Sequence, residues 1–286
     1  MVLWGYLSIC LIYGTTYFAI KLGLNEGIPP LLMAAIRFGL AGLLLVPYLA
    51  YRNARFPRSL KAYAEMAFLG ALMTAIPFAA LFWSEQHIPT GVASLLVATS
   101  PVFIGLFERV DRWQKVGIAA AFAGLALVAL PELTTGGDRK NAIWAALSIV
   151  LSEAAFSYGV IRTRKAFGEG VSSLMLNALQ MIFGSLLLFA LSGVTENFSG
   201  IHWNGSLVFS ILYLSVAASV VASGIYYWLV QVTNPLFPTT WTMVSPIVAV
   251  FVGALFLHET ITWIGAAGTA VALAGIVLVN RKLLRF

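Results

Sequence analysis

Two charges stand where charge is expensive. Arg37 lies nine residues into a 23-residue apolar run, 29–51, and Glu153 lies in the middle of another, 141–161. An ionised side chain in hydrocarbon costs on the order of 2.5–3.5 kcal/mol unless it is paired or wet, so each needs a reason. The Arg37 guanidinium could clasp a substrate carboxylate, because its planar fork of N–H donors matches two oxygens. It could equally be a structural arginine hydrogen-bonded to helix ends. Glu153 could pair with Arg37 or Lys21, carry a coupling proton, or join two halves of the protein through an internal ion pair. Lys21, three residues from a span end, reads as snorkelling to the headgroups.

Neutral groups surround these charges in the sequence. Gln180 and Asn177, one helical turn apart, are candidates to line a cavity or to hydrogen-bond across helices. Tyr13 and Trp241 lie deep enough to stack on an apolar or aromatic ligand, Tyr17 is a further candidate to line the cavity, and Trp83 and Trp228 sit near span ends and read as interfacial belts. Thr99 and Ser100 precede Pro101, and Thr240, Trp241 and Ser245 precede Pro246. A proline inside a spanning helix removes one ladder bond, so both prolines are candidate hinges. The neighbouring hydroxyls either replace the missing donors or touch substrate. Glu85, His87, His258 and Glu259 fall at outer turns, and His258 and Glu259 read as helix-end caps or links. No set of residues converges as a metal site requires, none has the nucleophile, base or paired carboxylates of a catalytic centre, and no cofactor is implied.

The elements that must hold these residues are membrane helices. Of 286 residues, 60% are hydrophobic and 10% charged, against about a quarter charged in a soluble domain. A helix needs roughly 20 apolar residues to cross hydrocarbon. The pattern predicts ten spans: 2–24, 29–51, 62–84, 90–108, 116–131, 141–161, 171–192, 205–229, 238–257 and 263–280. The connectors are short, so a single integral domain over 1–286 is expected. The net charge of +6 reflects orientation and not nucleic-acid binding. Thirteen Lys and Arg residues occupy one set of span ends and two, Arg139 and Lys140, the other, which puts both termini in the cytoplasm. The one cysteine, Cys10, lies within the first span and says nothing about redox compartment.

The chain also repeats. Leu7–Leu11 matches Leu147–Leu151 at an offset of 140, Gly42-Leu43-Leu44-Leu45 matches Ser185-Leu186-Leu187-Leu188 at 143, and Trp83–Pro101 matches Trp228–Pro246 at 145. Gly117/Gly268 and Ala123-Gly124/Ala274-Gly275 match at 151. Five spans per unit, 1–131 and 141–286, is an odd number, so the second unit enters the bilayer inverted. Folds of this type place substrate near the midplane and alternate access around it. Small residues at 119, 120, 123 and 124 and at 266, 268, 270, 272 and 274 allow close helix approach, either within one chain or in a homodimer. No Gly-x-x-x-x-Gly-Lys-[Ser/Thr] loop is present, so any transport runs on a gradient.

Tyr13-Gly14-Thr15-Thr16-Tyr17-Phe18-Ala19-Ile20-Lys21, Arg37-Phe38, Thr99-Ser100-Pro101, Ser245-Pro246-Ile247 and Leu257-His258-Glu259-Thr260 resemble the drug/metabolite transporter superfamily. The likeness is to its EamA-type ten-helix exporters, which include the YddG-like amino acid exporters, and it extends over nearly the whole chain. It implies an all-helical basket of two inverted five-helix repeats in the inner membrane. The implied activity is export of amino acids, aromatic or apolar ones preferred, or of related metabolites and amphipathic cations. Uptake or exchange of nucleotide precursors or sugar phosphates is the alternative, and an intramembrane enzyme a distant third. Partners are then the bilayer, a small-molecule substrate and, left open, a coupling proton, for a monomer or homodimer. Many members carry Trp in the first and sixth helices where this chain has Tyr13 and Glu153.

Overall fold

A computed structural model of the chain describes residues 1–54, 56–107, 112–135, 139–168, 171–232, 241–256 and 263–279. The described residues form helices and no strand. In order they are α1 (Val2–Leu24), α2 (Pro30–Tyr51), α3 (Leu60–Ser84), α4 in two pieces (Thr90–Val97 and Ser100–Phe107), α5 (Arg112–Thr135) and α6 (Arg139–Gly168). There follow α7 (Ser173–Thr195), α8 (Gly205–Leu212, Tyr213–Ala222 and Ser223–Val232), α9 (Trp241–Phe256) and α10 (Trp263–Val279). Each predicted span contains a helical stretch, with α5 and α6 running beyond theirs, and positions 108, 238–240, 257 and 280 of the predicted spans lie outside the described residues. Six are long and apolar enough to cross a membrane: α1, α2, α3, Arg139–Thr163 of α6, Leu174–Thr195 of α7 and Gly205–Tyr226 of α8. Apolar stretches in α5, α9 and α10 are shorter, and α4 is divided.

Helix starts follow local chemistry. Pro30 opens α2 after an extended Pro29, using a position whose N–H has no intrahelical partner anyway. Ser59, Ser172 and Asn204 accept the backbone N–H groups of Ala62, Met175 and Leu207 at the starts of α3, α7 and α8, the usual side-chain substitute for a missing carbonyl. The α1–α2 turn needs Gly27 twice over. Its φ is +79°, and a Cβ there would stand 2.5 Å from the Gly200 carbonyl oxygen.

Residues matched by the repeat behave alike. Leu43 and Leu186 are 63% and 58% exposed on the apolar exterior, whereas Leu45 and Leu188 are buried. Packing also survives exchanging each helix for its counterpart five places on. α1 lies against α9 as α6 lies against α4; α3 contacts α6 and α7 as α8 contacts α1 and α2; α2 pairs with α7, and α5 with α10. At the α5–α10 crossing, a Cβ on Gly124 would sit 2.3 Å from the Ala272 nitrogen, and one on Gly275 would sit 2.4 Å from the Ala121 nitrogen. The small residues that meet there are Gly117, Ala121 and Gly124 with Gly268, Ala272 and Gly275. Ala119, Ala123, Ala266, Ala270 and Ala274 face outward instead.

Two π-helical segments were not legible in the sequence. Ala71–Ala75 interrupts α3 and Tyr213–Ala222 forms the middle of α8. At the offset of 145, the first falls inside the second. Each widens its helix locally, a feature frequent at functional positions.

Candidate functional site

The break in α4 comes at Ala98–Thr99, just before Pro101. Its freed carbonyls are met by hydroxyls. Thr99 Oγ1 donates to Leu96 O at 2.6 Å, Ser100 Oγ to Val97 O at 3.0 Å, and Ser157 Oγ on α6 to Ser100 O at 2.9 Å. Of the two roles left open for these hydroxyls, replacement of missing backbone donors is the one observed at this break. In α9 the second proline, Pro246, lies inside a helix that continues through it. Ser245 is buried and its hydroxyl pairs with the Tyr17 phenol. Thr240 lies outside the described residues, as do His258 and Glu259.

Arg37 is 4% exposed. Its Nε–H donates to Ser219 Oγ at 3.1 Å, in the π-helical part of α8. The guanidinium carbon stands 4.7, 5.0 and 5.9 Å from the ring centroids of Phe38, Phe78 and Phe82, within cation–π range. The terminal Nη groups make no hydrogen bond to the described residues, and no carboxylate among those residues pairs with the guanidinium. The phenols of Tyr13, Tyr17 and Tyr213 lie within its electrostatic reach. Tyr13 packs on Trp241 with centroids 4.4 Å apart and meets Ser223 Oγ at 3.4 Å. Tyr213 OH meets Thr15 Oγ1 at 2.6 Å.

Glu153 is buried on α6, and its carboxyl meets the Ser100 hydroxyl at the α4 break. The ion pairs proposed for it with Arg37 and Lys21 are not formed. Lys21 is tied to a helix end. Its ammonium donates to the carbonyls of Glu85 at 2.6 Å and Ile88 at 3.2 Å, where the C-terminal end of α3 favours positive charge. Tyr17 lies within electrostatic reach of both Glu153 and Arg37. Tyr13, Tyr17, Arg37, Trp241, Ser245, Ser100 and Glu153 therefore share one region.

Gln180 is elsewhere. Gly39 faces Ser185 and Gly42 faces Ile182 across α2–α7, which sets Gln180 about two turns, roughly 10 Å, from Arg37 along the axis. Its Nε2 donates to Asn177 Oδ1 at 3.0 Å within α7, so the pair is not a link between helices. Asn177 Nδ2 and Gln180 Oε1 are buried without partners among the described residues.

Other polar ties join connectors. Glu196 accepts the N–H groups of Leu31 and Leu32 at 2.7 and 2.9 Å and the Ser192 hydroxyl at 2.7 Å. Asn204 Nδ2 donates to Glu26 Oε2 at 2.6 Å, and the His202 N–H donates to the Glu26 carbonyl. Ser219, Phe78, Phe82, Ser157 and Tyr213 escaped sequence reasoning. The one available signal was that Ser219 aligns with Thr74 at 145 while Arg37 aligns with Gln180 at 143.

Comparison with known proteins gives a consistent result. A family model described as "EamA-like transporter family" matches residues 1–130 and again 143–281. "Uncharacterized inner membrane transporter YedA" of Escherichia coli (strain K12) is 29% identical over 282 residues, covering 96% of this chain and 88% of its own. "Probable amino-acid metabolite efflux pump" of Salmonella typhimurium is 27% identical over 288 residues, covering 94% of this chain and 91% of its own. A solved crystal structure shares the fold at TM-score 0.66 and 18% identity, covering 98% of this chain and 97% of that one.

Proposed function

The chain belongs to the EamA-like transporter family, and we propose that this multi-pass inner-membrane transporter exports amino acids, preferring aromatic or apolar ones, and related small metabolites. One observation carries the substrate reading. Arg37 is a buried guanidinium with one nitrogen hydrogen-bonded and its Nη groups unpartnered among the described residues. Withdrawn from water, such donors favour an anion strongly, and a carboxylate matches their spacing. The phenylalanines beside Arg37, and Tyr13 stacked on Trp241, offer apolar surface to the rest of the substrate. Glu153, within electrostatic reach of Tyr17, is the group for an ammonium or a coupling proton.

Ten spans with cytoplasmic termini, as the basic residues suggest, make the two matched stretches inverted units. Packing that survives their exchange supports alternating access about a midplane site. The α4 break and Pro246 supply the bending points. The printed name of the Salmonella typhimurium relative supports efflux as the direction.

Purified protein in sealed proteoliposomes, loaded with labelled phenylalanine, leucine or a hydrophobic cation, tests this reading. Wild type moves an amino acid and Arg37→Gln does not, while both melt alike. Movement of the cation alone, or equal transport by Arg37→Gln, would sink the carboxylate assignment. Efflux only in the presence of external unlabelled amino acid would favour the exchange carrier.

A further inference from the structure

We propose that Ser219 is a positioning residue that sets which edge of Arg37 a substrate meets, and that the π-helical segment of α8 holds it in place. The inference rests on the carboxylate reading of Arg37. Ser219 has one hydroxyl proton, and it is donated to Leu214 O five residues earlier, at 2.9 Å. That i−5 partner is the one a π-helical turn offers. With the proton committed, the oxygen can only accept toward Arg37, and it accepts from Nε.

A guanidinium offers a carboxylate two bidentate edges, one made by Nε with a terminal nitrogen and one made by the two terminal nitrogens. Ser219 occupies Nε and so removes the first. The ring faces of Phe38, Phe78 and Phe82 restrain the plane. What remains is the Nη1–Nη2 edge, on a group that cannot turn without losing Ser219. A paired, planar acceptor such as a carboxylate fills that edge. A carboxamide, with one acceptor and one donor, sets its N–H₂ against an N–H and leaves a buried donor unsatisfied. The site thus selects acid over amide by geometry as well as charge.

The other half carries a hydroxyl at the matching position, without the charge. Thr74 lies in the shorter π segment and aligns with Ser219. Its side chain packs where a Cβ on Gly184 of α7 would come within 2.5 Å. The residue aligned with Arg37 is the neutral Gln180. A hydroxyl on a π turn thus recurs in both halves, and it holds a cation only in the second.

The test compares L-phenylalanine with L-phenylalaninamide in proteoliposomes containing wild type, Ser219→Ala, Ser219→Thr or Arg37→Gln. Ser219→Ala is expected to raise the KM for phenylalanine about tenfold, with the maximal rate and the KM for the amide unchanged. Ser219→Thr restores the wild-type KM, and Arg37→Gln abolishes the preference for acid. If Ser219→Ala keeps the wild-type acid-to-amide ratio while Arg37→Gln loses it, the positioning role is wrong and the carboxylate reading stands. If wild type shows no preference for the acid, or Arg37→Gln retains it, both fall. A parallel fall in maximal rate for both compounds marks Ser219 as merely structural and overturns the proposal.

Discussion

Replacing Gly124 with alanine puts a methyl carbon 2.3 Å from the Ala272 nitrogen, 2.6 Å from the Gly268 oxygen and 2.7 Å from the Ala272 α-carbon. Normal contact begins at about 3.5 Å, so α5 and α10 must part by about 1 Å. All three opposing atoms are backbone, and no rotamer change relieves the clash. Overpacking typically costs 1–3 kcal/mol, and here the upper end, about 3 kcal/mol, applies. Alanine regains about 1 kcal/mol of helix propensity over glycine. The net loss is about 2 kcal/mol, or about 4 °C of melting temperature at roughly 2 °C per kcal/mol for a chain of this size. Thermal unfolding in detergent measures it. Gly275→Ala, with its Cβ 2.4 Å from the Ala121 nitrogen, behaves alike. Because one parting relieves both clashes, the double variant falls well short of the roughly 4 kcal/mol that additivity gives. Gly193, with nothing within 4 Å of its would-be Cβ, is the control, and Gly193→Ala raises the melting temperature. An unchanged melt for Gly124→Ala, or a strictly additive double variant, refutes the reasoning.

Glu196→Ala strips the acceptor from the first N–H groups of α2 and lowers stability by about 1–2 kcal/mol, read from the same melts; no change means water replaces the carboxylate freely. Ser157→Ala removes the hydroxyl bond from α6 to the Ser100 carbonyl and lowers stability by about 1 kcal/mol, whereas Ser157→Thr retains most of it. Glu153→Gln keeps the contact with Ser100 and melts like wild type, but loses any acceleration of export by a transmembrane pH gradient. A wild-type response to the gradient in that variant removes Glu153 from coupling.

What could be read from the sequence was whatever depended on spacing along one helix. Hydropathy located the helical stretches, and Pro101 marked a break, because both are local. The internal matches paired Leu43 with Leu186 and Leu45 with Leu188, and the members of each pair share the same exposure. The partners of charged residues were misjudged, because a partner is chosen in three dimensions. Lys21 met the carbonyls of Glu85 and Ile88, which every residue possesses and no pattern advertises. Ser219 was one hydroxyl among many, and only the π turn, which lacks a sequence signature, aims it at Arg37. Asn177 and Gln180 share one hydrogen bond within α7, a pairing that their i, i+3 spacing allowed.

The hydroxyls at the α4 break bear on how this segment enters the bilayer. Neither eight-residue piece is long enough to cross alone, so the two must enter together with the gap between them already polar. Thr99 and Ser100 satisfy carbonyls three residues back on their own chain. This part of the compensation travels with α4 as it leaves the insertion machinery. The Ser100 carbonyl, at the start of the second piece, takes the Ser157 hydroxyl from a residue 57 positions later in the chain. The second half therefore adds a polar tie to a gap whose own hydroxyls already serve it.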